Sequence, residues 1–115
     1  MSNLTTKSNP EDKSSVLLDI KKIILKMQLL YNKSSFYLGE LSINLPIKYS
    51  NGKSVYGKIA EIYCDEHGTL KADIVLSGTN REGEIFFGCD IEQLNFFDLS
   101  CIFNTLSLSS FDFAS

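Results

Sequence analysis

The first strongly patterned segment of the chain is amphipathic with the period of a helix. Apolar side chains recur there at steps of three and four residues. They form one broad stripe that comprises Val16, Leu17, Ile20, Ile23, Ile24, Met27, Leu30 and Tyr31. The stripe predicts a helix over residues 14–32, with Ser14 or Ser15 as its N-cap. Because an isolated helix of this length is marginally stable in water, we expect the stripe to pack on the rest of the chain.

From Ser42 onward the pattern has the period of a β-strand. Alternating or aromatic segments that predict strands cover residues 43–49, 55–64, 70–76 and 84–89. Turn sequences separate them, and Asn51-Gly52 is the strongest hairpin signal, because both residues tolerate positive φ. Pro46 places the first strand at an edge or beside a bulge, and Gly57 favours a bulge or tight bend in the second. Three consecutive hairpins predict an antiparallel meander.

The segment after the last predicted strand has the features of short helices. Asp90 leads a stretch, up to Leu94, that predicts a single 3₁₀ or helical turn. Asp98 is the expected cap of a second short helix. Helical spacing is shown by Leu99, Ile102, Phe103 and Leu106. A fifth strand is the alternative, because Ile, Phe and Thr also favour strands.

Together these elements predict an α+β fold, in which the N-terminal amphipathic helix packs on a small antiparallel β-meander followed by a short C-terminal helix. We expect a single domain over residues 14–106. Its predicted parts, with the flanking segments, are a disordered leader 1–13, the helix 14–32, the β unit 42–89, short helical turns 90–106 and a tail 107–115.

Two arrangements of the β unit satisfy this pattern. Short strands bent at glycines, with a single turn before the last element, resemble the layout of small SH3-like barrels over about residues 42–106. An open sheet with the long helix on one face is the competing arrangement. The pattern alone leaves both open.

The distribution of charge narrows the class of partner. The chain has 115 residues, which suits one domain, and a formal net charge of −3. Residues 1–33 carry six lysines against three acidic residues, a balance of +3; residues 34–115 carry five basic and eleven acidic residues, a balance of −6. Most non-specific affinity for nucleic acid comes from positive charge that neutralises phosphates, whereas residues 34–115 are acidic. We therefore expect no nucleic-acid partner.

Three further observations predict a cytoplasmic location without a membrane partner. The N-terminal residues are polar and lack the apolar core of a secretory signal. No apolar run approaches the length of a membrane span. The three cysteines, Cys64, Cys89 and Cys101, are an odd number without close pairing, which suits a reducing compartment.

Candidate chemistry centres on the single histidine. Cys64 and His67 have the spacing of metal ligands, and Cys89 with Cys101 would complete a set that zinc favours. However, the second pair is widely spaced, and free cysteines are often small buried hydrophobes. Cysteine nucleophiles would need His67 as a base, and nothing in the sequence marks its surroundings as catalytic. We expect no metal, no cofactor and no enzymatic activity.

Aromatic residues are concentrated in the β unit. Neighbouring residues of a strand point to opposite faces, so Phe86 and Phe87 cannot both enter one core. Either both faces of the sheet are covered, one of them by the long helix, or an aromatic patch is exposed; we expect the covered arrangement. The candidate binding residues are Tyr56, Tyr63, Phe86, Phe96, Asp90 and Glu92.

The sequence therefore predicts a non-enzymatic binding or adaptor domain of unknown specificity, with a protein or peptide partner. The aromatic and acidic surface of the β unit would meet a basic or apolar segment. Two alternatives stay open. One is a small metal-dependent or cysteine/histidine-based enzyme or regulator. The other is a self-associating structural protein that forms a homodimer through its N-terminal helix.

Overall fold

The fold combines two helices with one antiparallel sheet, which confirms the predicted α+β class. A computed structural model describes residues 12–38, 41–45, 55–77 and 83–114. The helical elements are α1 (Lys13–Tyr31), a 3₁₀ helix (Ile91–Gln93) and α2 (Phe96–Ala114). The strands are β1 (Phe36–Tyr37), β2 (Ser42–Asn44), β3 (Tyr56–Cys64), β4 (Leu70–Ser77) and β5 (Ile85–Asp90).

Some predicted features lie outside the described residues. They are most of the leader, Pro46 with the second half of the first predicted strand, the Asn51-Gly52 hairpin and most of the turn before β5. The turn between β3 and β4 is described. There Asp65 accepts hydrogen bonds from the backbone N–H groups of His67 and Thr69, both at 2.9 Å.

The sheet is open, with β3 and β4 at its centre. β4 pairs antiparallel with β3 on one side and with β5 on the other, while β1 and β2 both pair with the remaining edge of β3. Phe36 lies opposite Ile62 and Ile43 opposite Gly57, so β1 and β2 occupy different parts of that edge. Among the described strands no pairing joins β5 to β1 or β2, so the sheet does not close into a barrel.

Helix α1 begins at Lys13, before the two serines, Ser14 and Ser15, that were predicted as its N-cap. Asp12 is the N-cap, and its carboxylate accepts a hydrogen bond from the backbone N–H of Ser14 at 3.2 Å. The prediction of Ser14 or Ser15 as the cap is therefore wrong; aspartate satisfies the same free N–H groups equally well. Asn32 ends α1 as predicted, in a left-handed conformation with φ 53° and ψ 43°.

The predicted stripe of α1 is buried over most of its length. Val16, Ile20, Ile24 and Met27 are buried, and α1 packs on β3 and against α2. From the sheet, the alternate residues Leu70, Ala72, Ile74 and Leu76 of β4 enter the same core. Leu30 and Tyr31 belong to the predicted stripe but are exposed, in the last turn before the chain reverses at Asn32.

Helix α2 confirms the helical alternative for residues 99–106, and Leu99, Ile102 and Leu106 are fully buried. The helix is longer than predicted and includes residues 107–114, which the sequence assigned to a tail. Asp98 is not its cap. The carbonyl oxygen of the Asn95 side chain accepts a 2.7 Å hydrogen bond from the Asp98 N–H, so Asn95 caps the helix and Asp98 lies in the first turn.

Asp98 joins α2 to the free edge of β2. Its side chain is only 3% exposed, and its Oδ2 accepts a 3.0 Å hydrogen bond from the backbone N–H of Asn44. Burial raises the pKa of this carboxyl, although the hydrogen bonds from Asn44 and Asn95 oppose the rise. The neutral carboxyl is therefore favoured more in the folded than in the unfolded chain.

The sign of this shift predicts that Asp98→Asn stabilises the protein at neutral pH. A carboxyl whose pKa is higher in the folded state stabilises the fold while it is protonated. For Asp98 this contribution is complete below the unfolded-state pKa of 3.8 and is lost as pH rises through the folded-state pKa. Asparagine stays neutral and still accepts from the Asn44 N–H. Urea unfolding at pH 7 should show a higher free energy of unfolding for the variant, and the gain should fade near about pH 4. A loss of stability at pH 7 would contradict the inference.

Gln28 forms hydrogen bonds that connect the end of α1 to β3. Its Oε1 accepts from the backbone N–H of Cys64 at 3.0 Å, and its Nε2 donates to the Cys64 carbonyl at 3.4 Å and to that of Ser34 at 3.3 Å. β1 pairs with β3 at Ile62 and Glu61 and does not reach Cys64. The amide of Gln28 thus satisfies backbone groups that a neighbouring strand would otherwise satisfy.

Gln28→Ala should lower the free energy of unfolding by about 1–3 kcal/mol, because it leaves part-buried backbone groups of Cys64 without partners. The intrinsic helix propensity of alanine would act in the opposite direction. Lys22→Ala, on the exposed side of α1, is the matched control and should change stability by less than about 0.5 kcal/mol. Equal effects of the two variants in urea titrations would contradict the role of Gln28.

Candidate binding face

The face of the sheet that α1 leaves uncovered carries most of the exposed aromatic residues of the strands. Because side chains alternate along a strand, the residues between the buried ones of β3 and β4 point away from the helices. We call this surface the open face and define it by Tyr37, Tyr56, Lys58, Glu61, Tyr63, Lys71, Asp73, Val75, Ile85 and Phe87. The expectation that both faces are covered is wrong.

Several large side chains on the open face are exposed to solvent. Phe87 is 76% exposed and Tyr37 67% exposed, with Tyr56 and Ile85 each about half exposed. On the same strands Phe36, Ile59 and Cys89 are buried. Two faces of one sheet thus differ sharply in environment, and the open one presents apolar surface to solvent.

The register places these side chains in rows across the sheet. Val75 lies between Lys58 on β3 and Ile85 on β5. In the next row Glu61 lies between Tyr37 on β1 and Asp73 on β4. Directly opposed side chains on one face are neighbours. The charged residues of the open face therefore lie on the central strands β3 and β4, while Tyr37, Ile85 and Phe87 lie on the outer strands.

A bulge in β5 places Phe86 and Cys89 on the same face of the sheet. Between the pairs Ile74–Phe86 and Ala72–Cys89 the register shifts, so that Phe87 and Gly88 together oppose Asp73. Gly88 has a φ of +64°, and its N–H donates to the Asp73 carboxylate at 3.0 Å. The extra residue lets Phe86 and Cys89 both face the core while Phe87 points outward.

The open face carries two acidic residues, Glu61 and Asp73, and two basic ones, Lys58 and Lys71, and Asp90 lies beside it, opposite Lys71. Glu61 accepts a hydrogen bond from the Ser35 hydroxyl at 2.9 Å, and Asp73 accepts from Gly88. Burial raises the pKa of the Tyr63 phenol, and the nearby charges of Asp73 and Asp65 raise it further. Tyr63 therefore stays a neutral hydrogen-bonding group there at physiological pH.

The structure brings together only some of the candidate residues chosen from the sequence. Tyr56 and Tyr63 lie on the open face. Phe86 packs against the core from the other face, and Phe96 lies in the first turn of α2. Asp90 caps the 3₁₀ helix by accepting from the Glu92 N–H at 3.1 Å, and Glu92 forms a 3.0 Å ion pair with Lys21. Asp90 also lies opposite Lys71, beside the open face, whereas Phe86, Phe96 and Glu92 lie elsewhere.

Sequence reasoning missed Tyr37, Ile85 and Phe87 as members of this face. The signal for Phe87 was present in its adjacency to Phe86, but which of the two faces outward is set by the register with β4, which the sequence does not show. Tyr37 belongs to a strand of two residues, which is too short for a periodic pattern.

Two of the three cysteines are buried, and the histidine is exposed. Cys64 and Cys89 are buried, and burial raises the pKa of the Cys64 thiol although nearby Lys21 opposes the rise. A raised pKa disfavours the thiolate that nucleophiles and zinc ligands require. His67 is exposed, 3.6 Å from the Glu66 carboxylate. Within the described part of the chain, no group of three His, Cys, Asp or Glu side chains is arranged to hold a metal ion.

Comparisons of this chain with protein-family models, with curated proteins and with solved structures gave no match. Among the described helices, none combines the length and apolar character needed to cross a membrane.

Proposed function

We propose that the protein is a non-enzymatic binding domain whose open face binds an apolar segment of a partner protein. One observation carries this proposal: Tyr37, Tyr56, Ile85 and Phe87 are exposed on one side of a sheet whose other side is packed against helix α1. Exposed aromatic side chains on a rigid sheet supply contact area at low entropic cost. Aromatic residues are also enriched among those that dominate binding energy.

The charges on and beside the open face favour a partner segment that is basic. Glu61, Asp73 and Asp90 outnumber Lys58 and Lys71 on and beside the open face, and residues 34–115 as a whole have a balance of −6. Complementary charge accelerates encounter and excludes acidic competitors. The proposed ligand is thus a protein segment with apolar anchors and lysine or arginine beside them. A cytoplasmic location suits this proposal and stays a prediction.

Selection from a displayed library of random peptides tests the proposal with purified protein. We expect the selected peptides to share apolar anchors with flanking basic residues. Their affinity should fall at least about tenfold on the double variant Tyr37→Ser/Phe87→Ser, since central aromatic residues often contribute more than about 1 kcal/mol each.

The matched control is Phe97→Ser/Leu108→Ser, which removes two similarly exposed apolar side chains from α2 and leaves the open face intact. Binding should be unchanged on this control. A library that yields no binder would contradict the proposal. So would peptides that bind both double variants as well as the parent.

The other predicted alternatives receive unequal support. No group of three His, Cys, Asp or Glu side chains in the described residues is arranged to hold a metal ion, so the structure adds no support to the metal-regulator alternative, and the enzyme alternative stays a prediction. A homodimer through α1 stays a proposal, but it requires a different surface from the predicted one. Most of the stripe expected to pair is already buried in the core of the chain itself.

A further inference from the structure

Helix α1 carries a second apolar stripe on its outward side. Leu18, Leu25 and Leu29 are exposed, and Leu29 is 86% exposed. With Lys22 they follow steps of four, three and four residues, which is the spacing of the a and d positions of a coiled-coil seam. At about 100° per residue they lie opposite Ile20 and Met27, which enter the core.

We propose that this outer stripe, Leu18, Lys22, Leu25 and Leu29, pairs with the same stripe of a second copy of the chain in antiparallel orientation. The proposal does not depend on the binding role of the open face, because that face lies on the other side of the sheet from α1. A two-fold axis makes the interface self-complementary.

The antiparallel register follows from the positions of the leucines. When the helices run in opposite directions, Leu18 of one chain meets Leu29 of the partner, and Lys22 meets the partner's Leu25. Each lysine can then extend its aliphatic stem along a leucine and keep its ammonium group in water. In a parallel pair the two Lys22 side chains would instead face each other across the seam.

The charges beside the stripe favour the same orientation. Asp19 and Lys26 lie on one flank of the seam and Lys21 on the other. In the antiparallel pair, Asp19 of each chain lies close to Lys26 of the other chain. The two-fold axis therefore produces two such contacts. Parallel pairing would bring Lys26 near the partner's Lys21, with like charges adjacent.

These charged groups are available for such contacts. Among the described residues, neither Asp19 nor Lys26 forms an ion pair, whereas Lys21 is held by Glu92 at 3.0 Å. The seam from Leu18 to Leu29 is about 17 Å long at about 1.5 Å per residue, so the interface is small. We therefore expect a weak dimer, populated at high protein concentration.

Sedimentation equilibrium of the full chain, at concentrations up to about 1 mM, tests the proposal through two single charge changes. Asp19→Lys places a second lysine beside the partner's Lys26, and Lys26→Glu places a second carboxylate beside the partner's Asp19. Each should weaken dimerisation roughly tenfold, since two attractive pairs become repulsive. An equimolar mixture of the two variants restores opposite charges at both positions, so it should dimerise about as well as the parent.

Further variants separate a specific seam from general adhesion. Leu29→Ser should weaken the dimer, while Leu108→Ser on α2 removes another exposed leucine and should leave it unchanged. Thermal unfolding at low concentration checks that all variants fold. A parent that stays monomeric over the whole concentration range would overturn the proposal. A Lys26→Glu variant that dimerises more tightly would also overturn it, because that result indicates parallel helices.

Discussion

Ile20→Asp should unfold the protein. Ile20 is completely buried at the centre of the α1 stripe, in the core that the helix shares with the sheet. The change removes apolar burial and places a carboxyl where no water can reach it. We expect a loss of about 4 kcal/mol or more, which approaches the total stability of a small domain. Loss of the cooperative unfolding transition, followed by circular dichroism, would show it.

Leu25→Asp is the matched control for that change. It replaces an apolar side chain of the same size by aspartate on the same helix, but at a position on the outer stripe. Because the carboxylate stays solvated, the folded state should persist, with a loss of no more than about 1 kcal/mol at low protein concentration. If both variants melt alike, the assignment of the two sides of α1 is wrong.

Gly57→Val should lower the free energy of unfolding by about 3 kcal/mol or more. A Cβ at this buried position would overlap the Cγ2 methyl of Ile74 and lie 3.3 Å from the Val75 carbonyl oxygen. Overpacking of this kind forces strands apart or side chains off their rotamers. The bulge expected at Gly57 is wrong: the register shift of β3 lies between Ile59 and Glu61, and the glycine instead permits close approach to β4. Urea titration measures the loss.

A double-mutant cycle shows whether the overlap with Ile74 causes the loss. Gly57→Ala and Ile74→Ala should each destabilise the protein, the latter by about 2–5 kcal/mol through the cavity that it leaves. In the double variant the new methyl group occupies part of that cavity. The combined loss should therefore be smaller than the sum of the single losses. Strict additivity would contradict a direct contact at this site.

The sequence predicted those elements that depend on local periodicity. The helix over residues 14–32 and the strands from Val55 and Leu70 were correct within one or two residues, because each buries one regular set of side chains. The helical spacing from Leu99 to Leu106 predicted α2, although a strand stayed the alternative until the structure showed the helix. In each case a single buried face fixes both the element and its orientation.

Other features depend on contacts between distant segments and could not be read from periodicity. Asp98 resembles a helix cap in sequence, yet it is buried against the edge of β2 because α2 packs there. The sheet is open because its edge strands do not pair with each other. The sequence pattern does not determine whether such strands pair. Cys89 faces the core together with Phe86 only because of a one-residue bulge opposite Asp73.

Solvent access to the two faces of the sheet is the most direct test of the proposed binding surface. In nuclear magnetic resonance spectra recorded with a soluble paramagnetic reagent, ring signals of Tyr37, Tyr56 and Phe87 should broaden strongly. Methyl signals of the buried Ile59, Ile62 and Ile74 should persist at the same reagent concentration. Equal broadening of the two sets, or protection of the aromatic rings, would show that the helix does not leave this face of the sheet open.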